Sequence, residues 1–127
     1  MTNTKPKLGP IVIGVNSIDA VLDFYTNVFE IVVETRKPNY LAARLGDAEI
    51  EIEEDCAQRF PHWKERNVGT YKCAEFTVPD MAAFLQKVEK FGGKVVSPIT
   101  SRPWGALAAE ISDPDGNIFL LSQPLNK

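Results

Sequence analysis

The chain repeats itself. Val15 and Val78, Ile18 and Met81, Leu22 and Leu85, and Val32-Val33 and Val95-Val96 are each separated by 63 positions. A constant offset through a strand-like, a helix-like and a second strand-like stretch marks an internal duplication, each copy being one supersecondary unit. In the first copy Ile11, Ile13 and Val15 alternate with Val12, Gly14 and Asn16, the period of a strand with one buried face. Ser17 is placed to cap a following helix, because its hydroxyl accepts an orphan backbone N–H. Ile18, Val21, Leu22, Tyr25 and Phe29 then recur at helical steps and form one apolar stripe. The β-branched run 31–33 reads as a strand, and residues 40–45 and 48–53 read as a hairpin around Gly46-Asp47.

The element order is therefore β-α-β-β-β, and the second copy follows it. Residues 55–68 are polar, hold Pro61 and Asn67, and read as a connection. Residues 71–78 alternate as a strand, Asp80 caps a helix, and Met81, Phe84, Leu85 and Val88 form its stripe. Gly92-Gly93 stops that helix, since glycine takes the left-handed cap conformation without a Cβ clash. Val95-Val96 is a short strand, and 104–112 and 117–122 form a last hairpin around Asp113-Pro114-Asp115-Gly116. The expected fold class is α+β, with two βαβββ modules at about 9–54 and 69–123 in a single domain spanning residues 1–127.

Composition narrows the function classes without naming one. A length of 127 residues suits one compact domain. A net charge of −3 argues against nucleic acid, where a basic face supplies most of the affinity. No apolar run approaches the roughly 20 residues that span a bilayer, so no membrane partner is expected. Residues 1–7 are polar and contain Pro6, unlike a secretory signal. Cys56 and Cys73 lack metal-type spacing and demand no disulfide, which makes a cytoplasmic setting the expectation.

Two motifs carry a family resemblance. Asp23-Phe24-Tyr25-Thr26-Asn27-Val28-Phe29 resembles a segment on the first helix of glyoxalase and bleomycin-resistance proteins. Pro103-Trp104-Gly105, followed by Asp113-Pro114-Asp115-Gly116-Asn117, resembles their closing hairpin. With the paired modules, the likeness to the vicinal oxygen chelate superfamily, which includes the extradiol dioxygenases, covers residues 9–123. It implies that each module curls its four strands into a half-open mixed sheet, that two such sheets face each other across a cleft, and that helices cover the outer faces. Enzymes of the superfamily typically hold a divalent metal in the cleft through the first and last strands of each module, and the metal polarises substrate oxygens.

Carried over residue by residue, the resemblance places those four ligand positions at Pro10, Glu51, Cys73 and Leu120. Hard and borderline cations need imidazole or oxygen donors. Proline and leucine offer none, Cys73 is a soft substitute, and the sole histidine, His62, lies in the connection. The expectation is no cofactor; a divalent metal with Glu51 among its ligands belongs to the alternative reading.

Strand parity indicates what lines the cleft instead. Ile50 and Ile52, Leu41, Ala43 and Leu45, and Ala74, Phe76 and Val78 go to the core. That leaves Glu49, Glu51, Glu53, Tyr40, Ala42, Arg44, Cys73, Glu75 and Thr77 on the open faces, with Arg44 opposite Glu49. Parity in 104–112 is undecided, because both registers are apolar. The carboxylates are either the wet face of a half-buried sheet or an acidic groove for a cationic ligand, aided by Trp104, Tyr40, Phe60 or Trp63, since cations favour ring faces. Trp104 serves equally as a core or dimer contact. His62 is an isolated candidate base, and Cys73 reads as a small apolar filler before a nucleophile.

The function expected first is a metal-independent binding protein that resembles bleomycin-resistance proteins and sequesters a small cationic or aromatic ligand, with no catalytic residue. The alternative is a glyoxalase-like lyase or dioxygenase with an atypical metal site; a third is a dimeric interaction module with a vestigial cleft. A homodimer is expected in each case, as symmetric pairing is the common solution for soluble oligomers.

Overall fold

The structure, a computed structural model, describes residues 5–59 and 75–125. In the first module β1 (Ile11–Gly14) leads to α1 (Ile18–Val28), then β2 (Val32–Lys37), β3 (Tyr40–Leu45) and β4 (Ala48–Glu53). A short helix, α2 (Cys56–Arg59), follows. The second module runs β5 (Phe76–Thr77), α3 (Met81–Lys90), β6 (Lys94–Arg102), β7 (Ala106–Ser112) and β8 (Ile118–Pro124). The sheet orders are β1-β4-β3-β2 and β5-β8-β7-β6, so the duplication read from the 63-residue offset is a duplication of topology. In both copies the first strand runs parallel to the last, Ile13 beside Ile52 and Phe76 beside Leu121. By this point the second copy has gained residues, taken up in the longer β6–β7 hairpin and the Asp113–Asn117 turn.

The caps form as the sequence requires. Ala20 N–H donates to Ser17 Oγ at 3.2 Å, and Ala83 N–H donates to Asp80 Oδ1 at 3.1 Å. Each module adds a second cap from the end of its last strand. Glu54 Oε2 accepts from Ile18 N–H at 2.7 Å, and Gln123 Oε1 accepts from Met81 N–H at 2.6 Å. These contacts anchor each helix start to its own sheet by satisfying otherwise orphaned donors.

Helix α1 is buried on two sides, which widens its apolar face beyond one stripe. Ile18 and Val21 pack with Ile13, Leu41, Ile50 and Ile52 of the first sheet, while Phe24, Tyr25 and Phe29 turn toward the second module. Phe24, absent from the expected stripe, is 1% exposed, whereas the expected Leu22 is only partly buried. Phe29 meets Phe76, Phe84 and Phe119 edge-on at ring centroid distances of 4.9, 5.5 and 5.4 Å. Edge-to-face aromatic pairs add about 0.5–1.5 kcal/mol each beyond their burial.

Polar contacts close the same junction. Tyr25 OH donates to the buried carboxylate of Asp113 at 2.5 Å, across 88 residues of chain. Asp113 also accepts from the backbone N–H groups of Asp115 and Asn117 and from Asn117 Nδ2, so its charge is fully hydrogen-bonded. Asn117 Nδ2 reaches Gly14 O, and Asn16 pairs with Asp115. The Asp113–Asn117 turn therefore clamps the second module onto β1 and α1 of the first.

Some expectations need correction. β2 extends to Lys37 rather than stopping at residue 33, and β6 runs Lys94–Arg102 rather than only 95–96. Pro98 interrupts the alternation, yet β6 is an edge strand whose register shifts around it, a position proline tolerates. The last hairpin starts at Ala106; Trp104 sits in the turn before it. The connection holds α2, where no helix was expected. Of the strand read at 71–78, residues 71–74 lie outside the described residues.

A Cβ at Gly93 would stand 2.5 Å from Ser112 O and 2.6 Å from Phe24 Cε1, so this glycine sets how closely α1 approaches the second module. Gly93→Ala is expected to destabilise the protein by about 1–3 kcal/mol, the usual cost of overpacking. Gly9→Ala, with nothing within 4 Å of its Cβ, serves as the control and stays within about 0.5 kcal/mol of the parent. Urea unfolding measures both, and an unchanged midpoint for Gly93→Ala contradicts this packing.

Candidate functional site

In each module the helix covers one face of the sheet and the other face stays open. The first open face carries Tyr40, Ala42 and Arg44 of β3 opposite Glu53, Glu51 and Glu49 of β4, as strand parity requires. Tyr40 OH donates to Glu51 Oε2 at 3.1 Å, and Arg44 Nη1 lies 3.6 Å from Glu49 Oε2. Cys56 Sγ donates to Glu53 Oε1 at 3.5 Å. Lys37, opposite Tyr40, adds a second cation on this face. Partial burial, then the hydrogen bond to Glu51 and the charges of Glu51, Glu53 and Glu49, raise the Tyr40 phenol above its ordinary range, so it holds its proton. A shallow cavity of about 260 Å³ opens at Asn39, Tyr40, Glu53 and Asp55.

The second open face is more deeply hollowed. Burial of Ala109, Ile111, Phe119 and Leu121 settles the undecided parity of β7, turning Ala108 and Glu110 outward with Leu120 and Ser122 of β8. A groove of about 390 Å³ runs over this face, bounded by Glu75 on one side and by Ser97, Thr100, Arg102 and Trp104 on the other. Ser97 Oγ donates to Glu110 Oε1 at 2.6 Å, and the Arg102 guanidinium stacks 4.8 Å from the centre of the Trp104 ring. Trp104 is 72% exposed, so it is not a core residue. A further, mostly apolar cavity of about 310 Å³ lies on the helix side, between Phe29, Phe76, Phe84 and the Glu30–Lys87 ion pair, away from the titratable groups of the sheets.

The structure thus brings Glu51, Glu53 and Tyr40 together on one face and Glu75 and Trp104 together in the other groove; Glu49 pairs with Arg44 at the exposed edge. The two faces carry separate cavities, because the modules meet through α1 and α3 rather than through their open sheets. Phe60, Trp63, His62 and Cys73 lie outside the described residues. Ser97, Thr100, Arg102, Glu110 and Ser122 were missed as site residues. Ending that strand at Val96 hid Ser97, Thr100 and Arg102, while Glu110, the one charge in β7, is the signal that marks its outward register.

The divalent metal that the resemblance implies does not fit the described residues at these positions. Beside Glu51 in the parallel ladder stands Val12, with Pro10 before it, and the carboxylate is already engaged by Tyr40. On the second sheet Leu120 lies opposite Glu110 and brings no donor. Among the described residues no three His, Cys, Asp or Glu side chains come together as a metal site. Nor is any helix among them long and apolar enough to cross a membrane.

Comparison with known proteins agrees with this architecture. The family model for the Glyoxalase/Bleomycin resistance protein/Dioxygenase superfamily matches residues 7–121. An uncharacterized protein of Mycobacterium bovis is 25% identical over 134 residues, covering 98% of this chain and 88% of the relative. A glyoxalase/bleomycin resistance protein/dioxygenase family enzyme from Burkholderia phytofirmans superposes with a TM-score of 0.73 at 18% identity, over 92% of this chain and 98% of that one. A glyoxalase-related enzyme from Fulvimarina pelagi gives 0.72 at 18% identity, over 92% and 87%. With the duplicated modules, the shared topology and a match over most of its length, this chain belongs to the Glyoxalase/Bleomycin resistance protein/Dioxygenase superfamily.

Proposed function

We propose that this chain is a metal-independent binding protein, similar to the bleomycin-resistance branch, that sequesters a small organic ligand bearing a cationic or aromatic group. The donor set carries this reading. Pro10 and Leu120 stand where the superfamily's metal ligands would be, and Val12 beside Glu51 supplies no replacement. Lewis-acid chemistry on a substrate needs several converging donors. The second sheet instead offers a groove within the usual size range of small-molecule sites, with a small-residue floor at Ala108, an exposed indole and carboxylates at Glu75 and Glu110. The carboxylates favour a cation, and the indole, which already carries the Arg102 guanidinium, offers a surface for an aromatic group.

The expected result is that purified protein, dialysed against nickel, zinc, manganese and iron, retains no stoichiometric metal in elemental analysis. One tightly held metal per chain, lost in Glu51→Ala, overturns this reading in favour of a lyase or dioxygenase.

The same proposal includes a homodimer in the cytoplasm. Val32 on edge strand β2, and Val96 and Ile99 on edge strand β6, are 66%, 45% and 39% exposed. Apolar side chains on open sheet edges invite pairing with another chain. A second copy would set an open face of one chain against that of its partner and close the separate cavities into deeper clefts. Light scattering is expected to give the mass of two chains at micromolar concentration; a monomer throughout that range removes the shared cleft.

A further inference from the structure

We infer that the groove on the second sheet carries opposite charge at its two ends and selects an elongated ligand with a cationic group at one end and an anionic group, next to an aromatic ring, at the other. This deepens the proposed binding function and rests on it. The register carries the inference. Glu110 lies opposite Leu120, at the level of Glu75, so two carboxylates flank one end of the groove. The Ser97 hydroxyl fixes one oxygen of Glu110 at 2.6 Å. Arg102 lies opposite Ala106, at the other end, beside Trp104. Ala106 and Glu110 lie four positions apart along β7, which at the rise of a strand is about 13 Å.

Arg102 makes no ion pair among the described residues, and neither does Glu75, so the opposite charges do not neutralise each other across this distance. The guanidinium lies over the Trp104 ring, which leaves its N–H edge to donate two hydrogen bonds to a carboxylate. Between the ends, Thr100 and Ser122 flank Ala108, so the floor is shallow and hydroxyl-lined, with room for a flat or unbranched body. A purely cationic ligand would satisfy the Glu75 end and leave the guanidinium unpaired. A ligand with both charges satisfies both ends, and it binds in one direction only.

The probes are para-(aminobutyl)benzoate, whose ammonium and carboxylate sit at opposite ends of an extended body, its methyl ester and its N-acetyl derivative. Calorimetry on chelator-treated full-length protein is expected to show the zwitterion binding at least about tenfold more tightly than either neutralised form, the effect of one charge-assisted hydrogen bond. Arg102→Met should remove the preference over the ester while keeping the preference over the N-acetyl form, and Glu75→Gln should do the reverse. Both positions are solvent-facing, so unchanged thermal midpoints verify folding. Equal affinity for all three probes overturns the polarity and leaves the binding function standing. Binding of none of them also overturns the polarity, and the metal-independent reading is then decided separately by elemental analysis. Loss of both preferences in either variant shows general electrostatics rather than a two-ended site and contradicts the inference.

Discussion

The packing of Phe29, Tyr25 and Phe24 from the first module against Phe119, Phe76 and Gly93 of the second is the contact on which the rest of the structure depends. A single βαβββ unit has one helix and one sheet, too little apolar surface to offset the entropy of ordering its chain. Joining two units through α1 doubles the work of that helix: one side covers its own sheet, the other builds a common core. The buried Asp113 carboxylate adds direction to this otherwise non-directional contact. Its acceptors are filled by Tyr25, Asn117 and the turn backbone, so a shifted module would strand a charge in the interior.

That junction decides where ligand chemistry can occur. With the helices between the modules, the opposite faces of both sheets are left to solvent, and their side chains need not satisfy a core. The duplicated faces have diverged. On the first, short-range partners compensate the carboxylates, with Tyr40 on Glu51 and Arg44 on Glu49. On the second, the longer β6 and its turn carry Arg102 and Trp104 over a groove that the first module has no residues to build. Divergence of the copies, rather than the fold they share, is thus what distinguishes the two open faces. The fold alone names no activity.

Much of this was legible in the sequence, for identifiable reasons. The alternation of Ile50 and Ile52 with three glutamates fixes both the bounds and the facing of β4, because an error of one residue would bury charge. Ser17 and Asp80 mark helix starts because capping is local chemistry. What stayed hidden depends on tertiary contact. Phe24 is buried only because a second module lies against it, and β6 persists past Pro98 only because its proline falls on an edge. Of the residues expected around a ligand, Glu75 and Trp104 share a groove, while the glutamates of β4 belong to another face. Parity within a strand can be read from sequence, but which faces come together cannot.

The central claim is that ligand is held on the second sheet without a metal. A backbone amide chemical-shift map of isotope-labelled, chelator-treated protein titrated with para-(aminobutyl)benzoate tests it most directly. The account predicts saturable shifts clustered at Glu75, Ser97, Thr100, Ala108, Glu110 and Ser122, unchanged when zinc or nickel is then added. Shifts that appear only after metal is added, and that centre on Glu51, would contradict it.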